Sequence, residues 1–186
     1  RKLDKNGKPI EGEPEFRTAL SYPNGEIYEG QFLNGMRHGL GTCIYVNGDM
    51  YEGEWSEGLC HGEGLISNEK GKLVCQGEFL EGRLNGNAVF KHEDGSQYTG
   101  EWKESRRHGR GKYVDKDGNK YEGEWKDNVR QGHGIHVGIN GSYFDGEWAR
   151  DVRNGFGYLK LANGTEYEGT WKSNRMEGRG VIKYPD

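Results

Sequence analysis

The feature that most constrains this chain is internal repetition with a period of 23 residues. An aromatic-x-Gly-x-aromatic unit occurs as Tyr28-Gly30-Phe32, Tyr51-Gly53-Trp55, Tyr98-Gly100-Trp102, Tyr121-Gly123-Trp125, Phe144-Gly146-Trp148 and Tyr167-Gly169-Trp171, with a weaker copy at Cys75-Gly77-Phe79. These units start at residues 28, 51, 75, 98, 121, 144 and 167, so every step is 23 residues except one of 24, whose extra residue falls between Gly71 and Cys75. Such self-similarity marks a repeat architecture, in which one small unit cannot bury its apolar face alone and stacks on its neighbours.

Two further markers recur in phase. Gly-x-Gly follows eleven residues after each start, at Gly39/Gly41, Gly62/Gly64, Gly109/Gly111, Gly132/Gly134, Gly155/Gly157 and Gly178/Gly180, while the third copy reads Gly86-Asn87-Ala88. A turn dipeptide precedes each unit, as in Asn24-Gly25, Asn47-Gly48, Asp94-Gly95, Asp117-Gly118, Asn140-Gly141 and Asn163-Gly164. Asn-Gly and Asp-Gly are the strongest short hairpin signal, because both central residues of a type I′ turn need positive φ. A second reversal falls three residues after each closing aromatic, at Gly35, Gly58, Gly82, Ser105, Asn128, Asp151 and Asn174, types that mostly tolerate left-handed backbone.

Two turns per repeat leave two short strands. Seven repeats therefore predict about fourteen strands in an antiparallel meander, an elongated, single-layer, twisted all-β sheet that at ~4.8 Å per strand extends roughly 65 Å. Alternation in Tyr121-Glu122-Gly123-Glu124-Trp125 places rings and glycine on one face and acids on the other. The glycines of the returning strand remove side chains beside those rings, so the aromatics of one repeat are expected to lie over the glycines of a neighbour. Ring burial then substitutes for a thick core, which reconciles 31% apolar residues with folding: the usual share is roughly 45–50%, but 12% of this chain is aromatic. Disordered chains are poor in aromatics.

Residues 1–23 read as a degenerate leading repeat, with Asn6-Gly7, Ile10 and Gly12 in phase but Pro14 at the closing aromatic position. Residues 24–186 hold the seven full repeats. The ending Val181-Ile182-Lys183-Tyr184-Pro185-Asp186 parallels Ala19-Leu20-Ser21-Tyr22-Pro23-Asn24, and the chain opens on Arg1 rather than Met, so a piece of a longer array is expected.

Tyr-Glu-Gly-Glu-Trp followed by a polar turn and Gly-x-Gly resembles the MORN (membrane occupation and recognition nexus) repeat family over residues 24 to about 184. The resemblance implies elongated, groove-shaped sheets that serve cytoskeletal scaffolds, ciliary and junctional proteins, or append to lipid kinases and methyltransferases. It also implies antiparallel homodimers through the C-terminal repeats, as in free-standing cytoskeletal arrays. Repeat three departs from the pattern at Cys75, Phe79, Ala88 and the inserted residue, and a kink or local change of twist is expected there.

The ring face is the main candidate site: Tyr98, Trp102, Tyr121, Trp125, Phe144, Trp148, Tyr167 and Trp171 would line a groove for protein partners, with Trp125→Ala and Trp148→Ala weakening binding more than stability. Arg107, Arg130 and Arg153 share one repeat position with Arg37 and should form a ladder; with Arg106 they compose a candidate edge for phospholipid headgroups, although nearby glutamates offer cross-strand partners. A net charge of −4 argues against nucleic acid. The histidines sit where the repeat dictates, His133-Gly-Ile-His136 lacks the further ligands of a zinc site, and Gly-x-Gly here opens no helix, so no metal, cofactor or catalytic residue is expected. Cys43, Cys60 and Cys75 read as free thiols of a reducing compartment. With no long apolar run, the chain reads as soluble and cytoplasmic, associated with cytoskeleton or membrane. Three readings stay open: a non-catalytic self-associating scaffold that binds cytoskeletal or cortical proteins, a phosphoinositide-binding targeting module, and the regulatory array of a larger enzyme.

Overall fold

The computed structural model describes residues 12 and 14–185; the leading markers Asn6, Gly7 and Ile10 lie outside them. The chain divides into two units, residues 1–85 and 86–186. In the first, β1 (Glu15–Ser21), β2 (Ile27–Leu33), β3 (Met36–Ile44), β4 (Met50–Ser56), β5 (Leu59–Ser67) and β6 (Leu73–Leu80) lie in sequence order, each antiparallel to the next. β7 (Arg83–Lys91) carries the boundary. The second unit continues with β8 (Gln97–Lys103), β9 (Arg106–Val114), β10 (Lys120–Lys126), β11 (Val129–Val137), β12 (Tyr143–Ala149), β13 (Val152–Lys160), β14 (Glu166–Lys172) and β15 (Arg175–Lys183), again a meander. Among the described residues fifteen strands replace the expected fourteen or so, because β1 precedes the first full repeat.

The two reversals exchange the roles assigned to them. Type I′ geometry belongs to the second one: Asn34, Glu57, Glu81, Glu104, Asp127, Arg150 and Ser173 have φ between 47° and 52°, and the residues that follow them lie between 60° and 84°. At Asn-Gly only the glycine is left-handed, as at Gly25 with φ 88°. There Gly25 N–H donates to Tyr22 O (2.9 Å) and Tyr22 N–H to Glu26 O (2.9 Å), which closes a three-residue loop of type I ending in a left-handed glycine. Asn24 contributes its side chain instead of its backbone, since Oδ1 accepts from Glu26 N–H at 3.2 Å, and Asn47 and Asn163 do the same.

A line of glycines crosses the strands. In the first unit Gly30 pairs with Gly41, Gly41 with Gly53, Gly53 with Gly64 and Gly64 with Gly77. In the second, Gly100, Gly111, Gly123, Gly134, Gly146, Gly157, Gly169 and Gly180 pair in the same succession. On this line the tyrosines lie flat. A Cβ on Gly123 would stand 2.7 Å from the Tyr121 hydroxyl and 2.6 Å from the His133 carbonyl, and one on Gly134 would meet the Tyr121 ring directly. Each tyrosine thus covers glycines of its own repeat, not those of a neighbour. The neighbour is reached by the tryptophan: Trp125 Nε1 donates to Gly111 O, and Trp148 Nε1 to Gly134 O, both at 3.0 Å.

The remaining glycine forms a bulge. Between the pairs Gly123–Gly134 and Trp125–Arg130, β10 spends one residue, Glu124, whereas β11 spends Gln131, Gly132 and His133. Gly132 has φ 66°, and the stranded His133 N–H is taken by Glu124 Oε1 at 3.1 Å. The same contact joins Glu54 to Glu63 N–H, Glu101 to Arg110 N–H and Glu147 to Phe156 N–H. In these four repeats the acid before the tryptophan of the Tyr/Phe-x-Gly-x-Trp motif is therefore a bulge cap rather than a solvated charge. The inserted residue of repeat three is absorbed as a register shift between Ile66 and Ser67 on β5 opposite Cys75 and Leu73 on an eight-residue β6.

Because ring and backbone already fill the space, Gly123→Ala has to displace Tyr121. We expect it to cost about 1–3 kcal/mol as an overpacking change, read as a lowered denaturant midpoint in urea unfolding; an unchanged midpoint would show that the ring does not lie on the glycine line.

Candidate functional site

Ring stacking builds the site. In the second unit Trp102, Tyr98, Trp125, Tyr121, Trp148, Phe144, Trp171 and Tyr167 form one zigzag, each edge-on to the next with centroids 5.1–5.4 Å apart. Phe32, Tyr28, Trp55, Tyr51 and Phe79 repeat the pattern in the first unit. Edge-to-face pairs add about 0.5–1.5 kcal/mol each beyond area burial. The price of laying a phenol down is a hydroxyl to satisfy, and Tyr28, Tyr51, Tyr98, Tyr121 and Tyr167 each donate to the carbonyl three residues on, at 2.9–3.0 Å.

The eight ring residues expected to line a groove all lie on this face. Except for the half-buried Trp102, they are covered: Tyr98 is 0% exposed, Trp125 5% and Trp148 6%. They are the core and the floor, and what remains accessible is the layer above them. That layer consists of the arginines and of a column whose place sequence reading left unassigned, including the half-buried Tyr113 and His136; Leu159, at the same position of the next repeat, is covered. This column faces a ring on each side: His136 opposes Tyr121 on β10 and Phe144 on β12. Its own 23-residue recurrence was the signal available.

Arg107, Arg130 and Arg153 do form a row, but over rings instead of along an edge. Their guanidinium carbons stand 4.5 Å from the Trp125 centroid, 4.3 Å from Trp148 and 4.5 Å from Trp171. Each is clasped by the turn of the following repeat: Arg107 N–H donates to Asn128 Oδ1 (2.9 Å) while Asn128 N–H returns to Arg107 O (3.0 Å), and Arg130 with Asp151 and Arg153 with Asn174 repeat the exchange. Carboxylate pairing is uneven. Arg37 meets Glu26 at 2.6 Å and Arg130 meets Asp151 at 3.1 Å, whereas among the described residues Arg107 and Arg153 have no carboxylate in ion-pair range. Arg106 stands apart from the row, exposed and bound to Glu104 and Asp127.

Two clefts lie over these rings in the second unit. One, of about 430 Å³, is lined by Arg107, Tyr113, Lys120, Asn128 and Arg130; the other, of about 400 Å³, by Arg130, Tyr143, Arg153, Leu161 and Asn174. They share Arg130, His136 and Asp151. Burial holds His136 below the ordinary imidazole range, helped by the charges of Arg130 and Arg153, and burial likewise lowers Arg107 and Arg153. Among the described residues no group of three metal-ligating side chains occurs. No helix in them is long and apolar enough to cross a membrane. The three cysteines are unpaired, and burial pushes each thiol up.

The MORN repeat profile matches seven times, at residues 28–50, 51–71, 75–97, 98–120, 121–143, 144–166 and 167–186. The chain belongs to the MORN-repeat family. The matches pass over residues 72–74, where the inserted residue of repeat three lies. No curated protein matches the sequence of this MORN array. Among solved structures it is similar to the TCP domain of SAS-4 (dCPAP) of Drosophila melanogaster, solved with a proline-rich motif of Ana2, at 16% identity, 88% of this chain, 96% of that one and a TM-score of 0.49. The G-box domain of the microcephaly protein CPAP follows at 13% identity, covering 94% and 100%, with a TM-score of 0.32. A virginiamycin B lyase from Staphylococcus aureus reaches 10% identity, covering 92% and 69%, with a TM-score of 0.20.

Two outcomes follow from a site whose rings are its core. Trp125→Ala and Trp148→Ala should each cost about 3–5 kcal/mol of stability, measured by denaturant unfolding, in place of the selective loss of binding that an open groove implied. Burial also pushes the Tyr28 phenol up to about 12, against the opposing pull of Arg37, and raises Tyr51, Tyr98 and Tyr121 as well. A folded pKa above the unfolded value near 10 means that this stabilisation is complete below pH 10 and is lost as pH rises toward 12. The phenolate absorbance of these buried rings and loss of the β-sheet circular dichroism signal should then rise together over that window; ionisation of all the tyrosines before unfolding would contradict the burial.

Proposed function

We propose that this MORN array is a non-catalytic interaction module: it binds protein partners across the ring face and self-associates through its C-terminal repeats, as a scaffold of the cytoskeleton or cell cortex. The observation offered for the self-association is the chemistry of β15, where Met176 stands at the position that Arg153 holds one repeat earlier. All nine of its residues are exposed, with Met176 at 46%, Val181 at 60% and Ile182 at 47%, and Tyr184 just beyond it at 76%. In the interior of the array the same positions are occupied by Arg153 and Leu159, and Leu159 is only 8% exposed because β14 lays Tyr167 against it. β15 thus carries Met176 where its counterpart carries an arginine, and apolar side chains grouped on one strand are the kind of surface that associates with another apolar surface. In the proposed dimer the C-terminal repeats of two copies pack antiparallel on one another.

The ring face supports partner binding by its chemistry: a floor of rings, a row of guanidiniums and two clefts, with the polar backbone already satisfied. A phosphoinositide surface is favoured less, because Arg107, Arg130 and Arg153 sit half-buried among rings and, of the four candidate arginines, Arg106 alone is exposed.

Light scattering at micromolar concentration tests the scaffold reading. The chain should give twice its 21.1 kDa mass, and Met176→Glu with Ile182→Glu should return it to a single chain without unfolding it. A strictly monomeric wild-type protein would remove the self-association.

A further inference from the structure

The two clefts over β9–β13 hold a local excess of positive charge in an acidic protein. Arg107, Lys120, Arg130 and Arg153 face Asp115 and Asp151, four cations against two carboxylates, while the whole chain carries −4. Both acids are already engaged. Asp115 accepts from Asn119 Nδ2 at 2.7 Å and from the Asp117 and Asn119 N–H groups at 2.9 Å, and Asp151 takes Arg130. At the ends of the row, Arg153 stacks on Trp171 and Phe144 and its guanidinium makes no hydrogen bond among the described residues, while Arg107 spends one Nη2 donor on Asn128 O. Planar guanidiniums partly stripped of water, fixed by a ring beneath and with donors to spare, are suited to accept carboxylates in forked geometry.

Spacing selects the conformation of the ligand. Consecutive arginines lie one repeat apart, two strands, or about 9.6 Å at the usual strand separation. A β-strand places side chains of one face about 6.6 Å apart, and its residue at 10 Å points the other way. A polyproline II segment turns once per three residues with a rise of about 9.3 Å, so every third side chain faces the same side at the right interval. Such a segment also loses little entropy on docking, and Tyr113 and Tyr143 line the clefts with rings for it to lie on.

We propose that the cleft row over Arg107, Arg130 and Arg153 binds an acidic, proline-rich protein segment in the threefold extended conformation, with carboxylates at every third residue. Its outer two carboxylates meet Arg107 and Arg153, and the middle one lies by Arg130 and His136, in competition with Asp151. The proposal rests on the partner-binding reading and names the chemistry of the partner. A flat lipid surface fits less well, because recessed arginines are reached by single side chains and not by a plane of headgroups.

The test is fluorescence anisotropy at low ionic strength with a labelled peptide carrying glutamate at every third position in a proline background, against a peptide of equal charge with glutamates at alternate positions. The full chain should prefer the first. Arg153→Gln, which removes no hydrogen bond within the array, should weaken it about tenfold, as loss of one charge-assisted pair, whereas Arg106→Gln should leave it unchanged. Arg107→Gln should act like Arg153→Gln, with a thermal melt to confirm folding; if it unfolds, Arg153→Gln decides alone. On saturation the His136 imidazole, followed by NMR, should titrate at higher pH, because added carboxylates offset the neighbouring arginines. Equal affinity for the two peptides, an unaffected Arg153→Gln variant, or Arg153-dependent binding to phosphoinositide vesicles with no peptide binding would each overturn the proposal. Dimer mass measured on the same samples keeps the outcome distinct from that of the scaffold reading, and binding by peptides without regard to spacing would retain the partner-binding reading while removing this one.

Discussion

Everything in this molecule depends on a tyrosine ring lying flat on a pair of cross-strand glycines. A single sheet layer has no second layer to bury against, so its side chains must bury one another. Removing Cβ at Gly123 and Gly134 lowers the surface enough for Tyr121 to recline, its hydroxyl taken by the Glu124 carbonyl. Once reclined, the ring stands perpendicular to Trp125 and Trp148 on either side, and the tryptophan gives its N–H to a glycine carbonyl of the repeat before. Core, strand order and repeat-to-repeat coupling therefore derive from the same three positions. Repeat three shows the dependence from the opposite side, since the one repeat whose first ring is replaced, by Cys75, is also the one whose second glycine is replaced, by Ala88.

The arginine row is a consequence of that floor. An aromatic surface without a covering layer would be exposed along its length, and Arg107, Arg130 and Arg153 roof it with a group that is both planar and charged. The turn residues Asn128, Asp151 and Asn174 hold each arginine by its backbone, so roof and floor are pinned to successive repeats. Charge then concentrates where the apolar area is largest, which gives this face its chemical character.

Much of the fold was legible because its rules are periodic. Strand number, turn positions and the shared ring face follow from the spacing of Tyr, Gly and Trp alone. The Asn-Gly turns misled because two turn types use the same dipeptide: Asn24 serves by its side chain and leaves only Gly25 left-handed, while ordinary residues such as Glu57 and Arg150 take up the strained positions of the tighter turn. The bulge was hidden for a related reason. Strict alternation assigns Glu124 to solvent, and only the extra residues of β11 bring His133 N–H to its carboxylate. The candidate site was legible as a list of residues and not as an arrangement. Spacing put Arg107, Arg130 and Arg153 in register, but that they stack on Trp125, Trp148 and Trp171 depends on how far the rings recline, which no spacing encodes. Tyr113 escaped notice, and His136 was weighed only as a metal ligand, since their identities vary from repeat to repeat while their position does not.

Each of the five indoles bonds to a carbonyl fourteen residues upstream, as Trp55 does to Gly41 and Trp171 to Gly157. Every coupling of this kind points the same way along the chain, so adding or losing whole repeats re-creates the same junction between whichever neighbours result. Length in such an array is a quantity that can be gained or lost in integer steps at no cost to the rule that holds it together.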